Sequence, residues 1–535
     1  MPSSSHKGSF VKDDRPGRVV VVPDSIREVT EDDRLAQLGY KPEFVREFGN
    51  LSTISFALSI MGVAGTVAST LDTPLLSGGP ASVVWCWFIG TCMCMCLGLS
   101  IAEIISAYPT NGGLYSASAY LVPKKYKARV GWTVGWLNLL GQIAGVASTE
   151  FGLAGMILAA ATISTDGAYV PTAGHTVAVY VFLLAGHGVL NSFGTKVLNQ
   201  ITKVFIFANL GGLIAIVIAL GVTCEDKHPA SYVFTSEGFI NSSGWSSTGL
   251  AFLLGLLSVQ WTMTDYDATA HISEEVKEAS VRAPVAIVIA VAGTGAFGWV
   301  YNILYVLCSG PLEDLPGPSG YAAATIIVRN VGKKGFYVLW SFVCFTSWST
   351  VCTALQANAR TFHAFSRDHG LPDRGLFGKL APNKVPIYSV WLVVAVSVCL
   401  GMLDFASYTA VNAIFSLCAI ALDTSYCLPI LCKLLFRNHP DVNYVPGPFS
   451  LGNGFLGKAI PTIAICWTTF VVVILALPES YPVTADTMNY SSVLLVGVLT
   501  LSWVWWFAGA RKFYTGPRES SIELEESEKE TTQSA

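Results

Sequence analysis

Apolar runs of spanning length recur about twelve times along the chain, a span needing roughly 20 mostly apolar residues. They are placed at Leu51–Leu71, Ser82–Ala107, Gly131–Ala160, His175–Ser192, Gln200–Val222, Thr248–Ala270, Pro284–Cys308, Gly335–Phe362, Pro386–Leu403, Tyr408–Cys432, Ala459–Leu477 and Asn489–Gly509. The pattern predicts an all-α polytopic membrane protein. Before the first run lies a polar tail, residues 1–50, whose first half has no ordering pattern and whose second half predicts a short amphipathic helix over Asp32–Tyr40, stopped near Gly39 and Pro42. After the last run comes a solvated acidic tail, residues 510–535, with Glu519, Glu523, Glu525, Glu526, Glu528 and Glu530.

The sixth run departs from the pattern. It is apolar from Leu250 to Leu257 and then fills with groups that seek hydrogen bonds, from Gln260 through Asp265, Asp267 and His271 to Glu275. An ionised carboxylate near the bilayer centre is costly and usually marks a pathway or a site. Two readings follow. The span ends at Met263 and both acids lie in water, or the helix is broken and its unwound middle, near Gln260 to Thr264, lines a cavity. On a regular helix Asp265 and Asp267 point about 200° apart. Asp267 then shares a face with His271, and Asp265 with Trp261 and Thr269.

The first run is crowded with small residues, which favours close helix packing. Within Ile60–Thr66, Gly62 and Gly65 also weaken the helix near mid-membrane. An unwound segment there would present N–H groups at the start of a second half-helix, able to receive a carboxylate. Interruptions in the first and sixth runs form the pair expected of an inverted-repeat transporter, spans 1–5 (51–222) matching spans 6–10 (248–432), with two further spans at 459–509.

Composition agrees with the membrane class: 52% hydrophobic, 13% charged, mean hydropathy +0.52. The net charge of −4 matters less than where the charges fall. Lys and Arg gather in alternate loops, which puts both termini in the cytosol. No cleavable leader is visible, so the first span is expected to serve as the anchor. Cys92, Cys94 and Cys96 alternate without a nearby His or carboxylate, and no metal site or cofactor is expected. Cys224 and Cys308 fall near predicted outer ends, where they are free to pair or not. Asn241-Ser242-Ser243 and Asn489-Tyr490-Ser491 are outer glycosylation sequons, Asn489 standing too near the membrane for use. No nucleophile elbow or phosphate loop suggests an enzyme, and no nucleic-acid partner is expected.

Several blocks carry a resemblance. Glu103 with Tyr108-Pro109-Thr110-Asn111-Gly112-Gly113-Leu114-Tyr115 resembles the signature after the second span of amino acid–polyamine–organocation permeases. Trp261 to Glu275 is similar to the sixth-span motif of the fungal 4-aminobutyrate (GABA), amino acid and choline permease group. Gly39–Phe48, Gly135–Gln142 and Ala364–Pro372 resemble the same group. Gly62-Val63-Ala64-Gly65-Thr66 departs from the Gly-Leu-Leu-Pro-Ser run usual in its GABA permeases, which weakens GABA as the expected substrate.

The resemblance implies a five-plus-five inverted repeat of the leucine-transporter type with two extra helices, and substrate between spans 1, 3, 6, 8 and 10. Carried over by position, the contacts are Gly62, Val63, Ala64 and Gly65, then Trp261, Thr262, Met263 and Asp265. Gln142 and Gln356 are either contacts or interhelical hydrogen-bond partners. Lys203 either snorkels to the surface or, as a lysine at the matching place does in related permeases, stands where sodium-coupled relatives bind an ion. Asp267 and His271 are expected to couple or gate. The expected function is proton-coupled uptake of a small amine-bearing solute, an amino acid or GABA, across the plasma membrane rather than the vacuolar one. Choline, polyamine or thiamine transport, and a non-transporting nutrient sensor of the same fold, are the alternatives. A channel would need a continuous pore lined by rings of like groups.

Overall fold

The computed structural model describes residues 9–12, 19–22 and 31–517. The chain forms two units, one from residues 1–42 and 518–535 and one from Glu43 to Pro517. In the first, Ser9–Lys12 pairs antiparallel with Val19–Val22. The tail's opening half therefore contains a strand pair that its polar composition did not suggest. The second strand is four consecutive valines, whose branched side chains favour extended backbone. The amphipathic helix spans Glu31–Gln37 and stops before Gly39, which has φ 80°. The acidic end from Glu519 lies outside the described residues.

Among the described residues, eleven helices of the larger unit have the length and composition to cross a bilayer. The twelfth expected span, the sixth in order, is missing from that set because it is in pieces. It runs as Thr248–Leu254 and Leu256–Met263, loses helical form over 264–267, and resumes briefly as Ala268–His271. The third and fifth spans start earlier than hydropathy suggested, at Lys127 and Thr195. The eighth lies in Ala322–Arg367, interrupted at Gly332, whose φ of 71° forces the chain to turn before the span proper. Basic and hydroxyl groups at these ends hide helix from a hydropathy count.

The helix contacts come in pairs under exchange of span n with span n + 5. Span 3 packs on span 10 as span 8 packs on span 5. Span 3 meets span 4 as span 8 meets span 9, and span 1 meets span 7 as span 6 meets span 2. Spans 2 and 7, 3 and 8, and 4 and 9 pack on each other, as a two-fold between the halves requires. This is the five-plus-five architecture, with the eleventh and twelfth helices (Phe455–Leu475 and Ser491–Ala508) added outside it.

Span 1 breaks at one residue. Gly62 is left-handed (φ 43°, ψ 55°) between Asn50–Met61 and Val63–Thr70. Carbonyls freed by the break find hydroxyls: Thr66 donates to Met61 (3.0 Å), and Thr350 of span 8 donates to Ser59 (2.8 Å). A Cβ at Gly62 would meet Thr350 Oγ1 at 1.9 Å. Gly65 is helical, contrary to the expectation of an unwound run through it. Its small size serves packing, since a Cβ there would lie 2.8 Å from the Ser347 main-chain nitrogen.

Gly62→Ala combines left-handed strain of about 1–2 kcal/mol with a clash, and Gly65→Ala overpacks a tight helix crossing for about 1–3 kcal/mol. Both variants should unfold at clearly lower temperature than wild type in a detergent thermal-melt assay. Gly497→Ala, where nothing lies within 4 Å of the added carbon, should not.

Candidate functional site

The breaks in spans 1 and 6 face a common cavity. Its lining comes from Ile60 and Thr66 of span 1, Gly145 and Thr149 of span 3, Trp261, Thr264 and Asp265 of span 6, Thr350 and Ala354 of span 8, and Cys418 of span 10. These are the five spans that the resemblance implied. The free volume is about 10 Å³, room for about one water. A solute larger than that must spread the walls.

The sixth-span break lies some four residues later than expected. Trp261, Thr262 and Met263 are helical, and the irregular segment is 264–267. Thr264 turns its hydroxyl back to the Trp261 carbonyl (2.6 Å), and Asp265 takes φ 63°. Aspartate tolerates this left-handed conformation better than most side chains. The regular-helix argument that set Asp265 and Asp267 on opposite faces therefore fails, although their separation into two environments remains. Asp267 is buried and accepts from Asn138 Nδ2 (2.9 Å) and the Tyr426 hydroxyl (2.8 Å), with His271 Nε2 at 2.9 Å. Asp265 is partly exposed to the cavity, and its carboxylate accepts no hydrogen bond from a described residue. One of its oxygens lies near Gly145, 3.4 Å from where a Cβ on that residue would stand.

Trp261 donates its indole N–H to Ser148 (3.0 Å), and its ring lies 4.8 Å from that of Phe415. Beyond this aromatic pair opens a larger vestibule of about 340 Å³, lined by Asp72, Tyr408, Asn412 and Glu479 among others. Burial raises the Glu479 carboxyl above its ordinary range, opposed by the Thr73 hydroxyl at 3.4 Å.

Other predicted residues stand apart from the cavity. Gly62, Val63 and Ala64 lie between two lining residues. The Gly65 and Thr66 N–H groups return to the Gly62 carbonyl (3.1 and 3.0 Å), so the second half-helix starts afresh there. The first N–H groups of such a helix, on Val63 and Ala64, have no earlier turn of their own half to bond. Gln142 donates within its own helix to Asn138 (2.9 Å), and Gln356 is buried off the cavity. Lys203 is exposed, so the structure does not bring it to the place expected of a coupling lysine. The residue of span 5 that reaches spans 1 and 8 is Asn209, bonded to Ser59 (3.3 Å) and Ser349 (3.2 Å). Six residues separate the two positions, about 240° of helix turn, which sends Lys203 outward. Asn241 is exposed, with its amide bonded to the Trp245 carbonyl (2.7 Å), whereas Asn489 is buried. Cys224 and Cys308 are buried free thiols.

The signature blocks meet at the other end of the bundle. Glu274 exchanges hydrogen bonds with Asn111 (3.1 and 2.9 Å) and pairs with Arg367 (3.1 Å). Glu275 pairs with Arg360 at 2.7 Å, fully buried, and Glu103 pairs with Lys433. Phe48, just before span 1, bonds across to Glu275 and Lys277 as a short parallel bridge (3.0 and 2.9 Å). Gly113, at φ 54°, makes room for the His271 ring. This end is closed, while the Phe415 side opens into the vestibule.

Comparison with known proteins places this geometry. A family model described as "Amino acid permease" matches residues 48–499. The chain belongs to the amino acid permease family. It is 46% identical to an uncharacterized amino-acid permease of Schizosaccharomyces pombe over 91% of this chain and 90% of that one. It is 37% identical to amino-acid permease 2 of Neurospora crassa, over 91% and 89%. A GABA-specific permease of Saccharomyces cerevisiae is 29% identical over 92% and 87%. The family members are membrane transporters, not enzymes.

Sequence reasoning passed over Thr149, Thr350 and Cys418, small residues whose role appears only when five helices meet. It also passed over Glu150 and Asp423, buried acids inside the third and tenth spans that the cost of intramembrane charge should have flagged.

Asp267→Asn puts an amide where a three-partner acceptor stood, and should cost about 1–3 kcal/mol, seen as a lower melting temperature and less monodisperse protein. Asp265→Asn should leave both unchanged. Equal destabilisation by the two would contradict their separation.

Proposed function

We propose that the protein takes up a small amino acid, of the α- or the GABA type, together with a proton by alternating access, with both termini in the cytosol and the plasma membrane as its site. The observation that carries this reading is the unpartnered Asp265 carboxylate in a cavity walled by both helix breaks. A free carboxylate in a low-dielectric pocket attracts an ammonium group strongly. The start of the second half of span 1 suits the carboxylate of the same molecule. A zwitterion then satisfies both breaks at once, whereas choline, lacking a carboxylate, would leave the half-helix terminus unmet.

Two gates follow from the same reading. The Trp261–Phe415 pair is thin and separates the cavity from the vestibule, which faces outside. The Glu274–Arg367, Glu275–Arg360 and Glu103–Lys433 pairs close the cytosolic side. Substrate enters through the vestibule, draws span 6 against spans 3 and 10, and leaves when the ion pairs part. Relatives named amino-acid permeases and a GABA-specific permease support the substrate class. Because Gly62 alone makes the span 1 break without proline, an α-amino acid fits at least as well as GABA.

Uptake of labelled solutes in cells lacking their own permeases tests this. Wild type should show saturable uptake, concentrating against a gradient and indifferent to external sodium, with α-amino acids or GABA as the competitors. Asp265→Asn should raise KM at least about tenfold at equal surface amount, the loss expected for removing one side of a buried charge pair. Lys203→Ala should transport like wild type. An unchanged KM in Asp265→Asn would remove the site from this cavity.

A further inference from the structure

We propose that Glu150 of span 3 and His187 of span 4 together form the proton-carrying site. This rests on the reading of the protein as a proton-coupled transporter. Both side chains have no exposure, and His187 Nδ1 lies 2.9 Å from Glu150 Oε2. The other ring nitrogen, Nε2, faces the Trp348 main-chain carbonyl at 3.1 Å. Neither Glu150 oxygen makes an aligned hydrogen bond to a described residue. An acid and an imidazole closed into the membrane interior cost free energy that packing alone would avoid.

The pair can hold one exchangeable proton. With one shared proton it is neutral overall, as carboxylate with imidazolium or as acid with imidazole. Losing that proton leaves one uncompensated negative charge, and gaining another leaves one positive charge. Either is expensive while the pair is sealed, so the proton exchanges only when the helices open the site to water. Binding and release are simple protonation steps with no bond other than N–H or O–H made or broken.

The position couples this proton to substrate. Thr149, the neighbour of Glu150, lines the central cavity, and Thr350 lies two residues beyond Trp348 on span 8. Spans 3 and 8, two of the three helices that meet at the pair, therefore also wall the cavity that substrate enters. Toward the end of span 4, Asn191 donates to the His187 carbonyl (3.1 Å) and the Cys352 carbonyl (3.3 Å), the next polar step out. The surrounding titratable groups carry no free charge. Tyr180 of span 4 donates to the Ser397 carbonyl of span 9 (2.6 Å), with the Cys399 thiol near it. Cys352 of span 8 is a buried thiol. Arg360, two turns further along span 8, is committed to Glu275.

The test uses the full chain reconstituted in liposomes, with a mixture of labelled L-amino acids and GABA as the probe. Two modes are compared: accumulation driven by an imposed pH gradient, and exchange at equal pH and equal concentration on both sides. Wild type should accumulate label and acidify the lumen, reported by a trapped pH dye. Glu150→Gln should lose at least about tenfold of accumulation and its lumen acidification. Its exchange should stay within about twofold, with a flat profile between about pH 5 and 8. His187→Gln should behave alike, and is read in its place if Glu150→Gln fails to give monodisperse protein. Glu150→Asp should keep accumulation with a displaced pH profile. Accumulation and pH profile of wild-type form in Glu150→Gln and His187→Gln would overturn the pair's assignment. Accumulation by wild type that survives collapse of the pH gradient would instead overturn the proton-coupled reading itself.

Discussion

Inside a bilayer a broken helix has no water to receive its freed N–H and C=O groups, and each must find a partner in the protein or in a cavity. That constraint organises this structure. The span 1 break is confined to Gly62, and the hydroxyls of Thr66 and Thr350 take up its carbonyls. The span 6 break is longer, and Thr264 turns its own hydroxyl back on the helix it ends. The two breaks face one cavity, and the Asp265 carboxylate stands in its wall without a hydrogen bond from a described residue.

The acids divide by the same logic. Asp267, Glu274, Glu275 and Glu103 are each held by donors or cations, and they fix the shape of the closed end. Asp265 is left open. Removing a partner from a buried pair leaves a stranded charge costing about 3–5 kcal/mol, so these pairs hold the closed end together. The ion pairs thus lie on one side of the cavity and the Trp261–Phe415 contact on the other.

Much of this was legible in the chain. Hydropathy alone placed the eleven unbroken spans among the described residues, because burial of about 20 apolar residues leaves a long signal. The sixth span declared itself by polar residues where none should be, and the Asp267–His271 contact followed from helical spacing. The exact site of the break did not, since a left-handed aspartate at 265 has no periodic signature. Gly65 was misread for a related reason: a glycine that lets two helices touch and one that frees a backbone look alike in sequence. Lys203 failed on rotation about the helix axis, and Asn209, two turns along, carried no charge to draw notice. Glu150 and His187 lie in separate spans, and only packing brings them to 2.9 Å.

An amino acid seated beside Asp265 would cover Cys418 in the cavity wall, which makes that thiol a native reporter. In a variant retaining Cys418 as its sole cysteine and competent for uptake, alkylation of that thiol by a small reagent can be followed by mass spectrometry. Saturating concentrations of a transported amino acid should slow the reaction at least about tenfold, and a non-transported one should leave it unchanged. A rate at Cys418 that is indifferent to an amino acid the same protein transports would contradict the account.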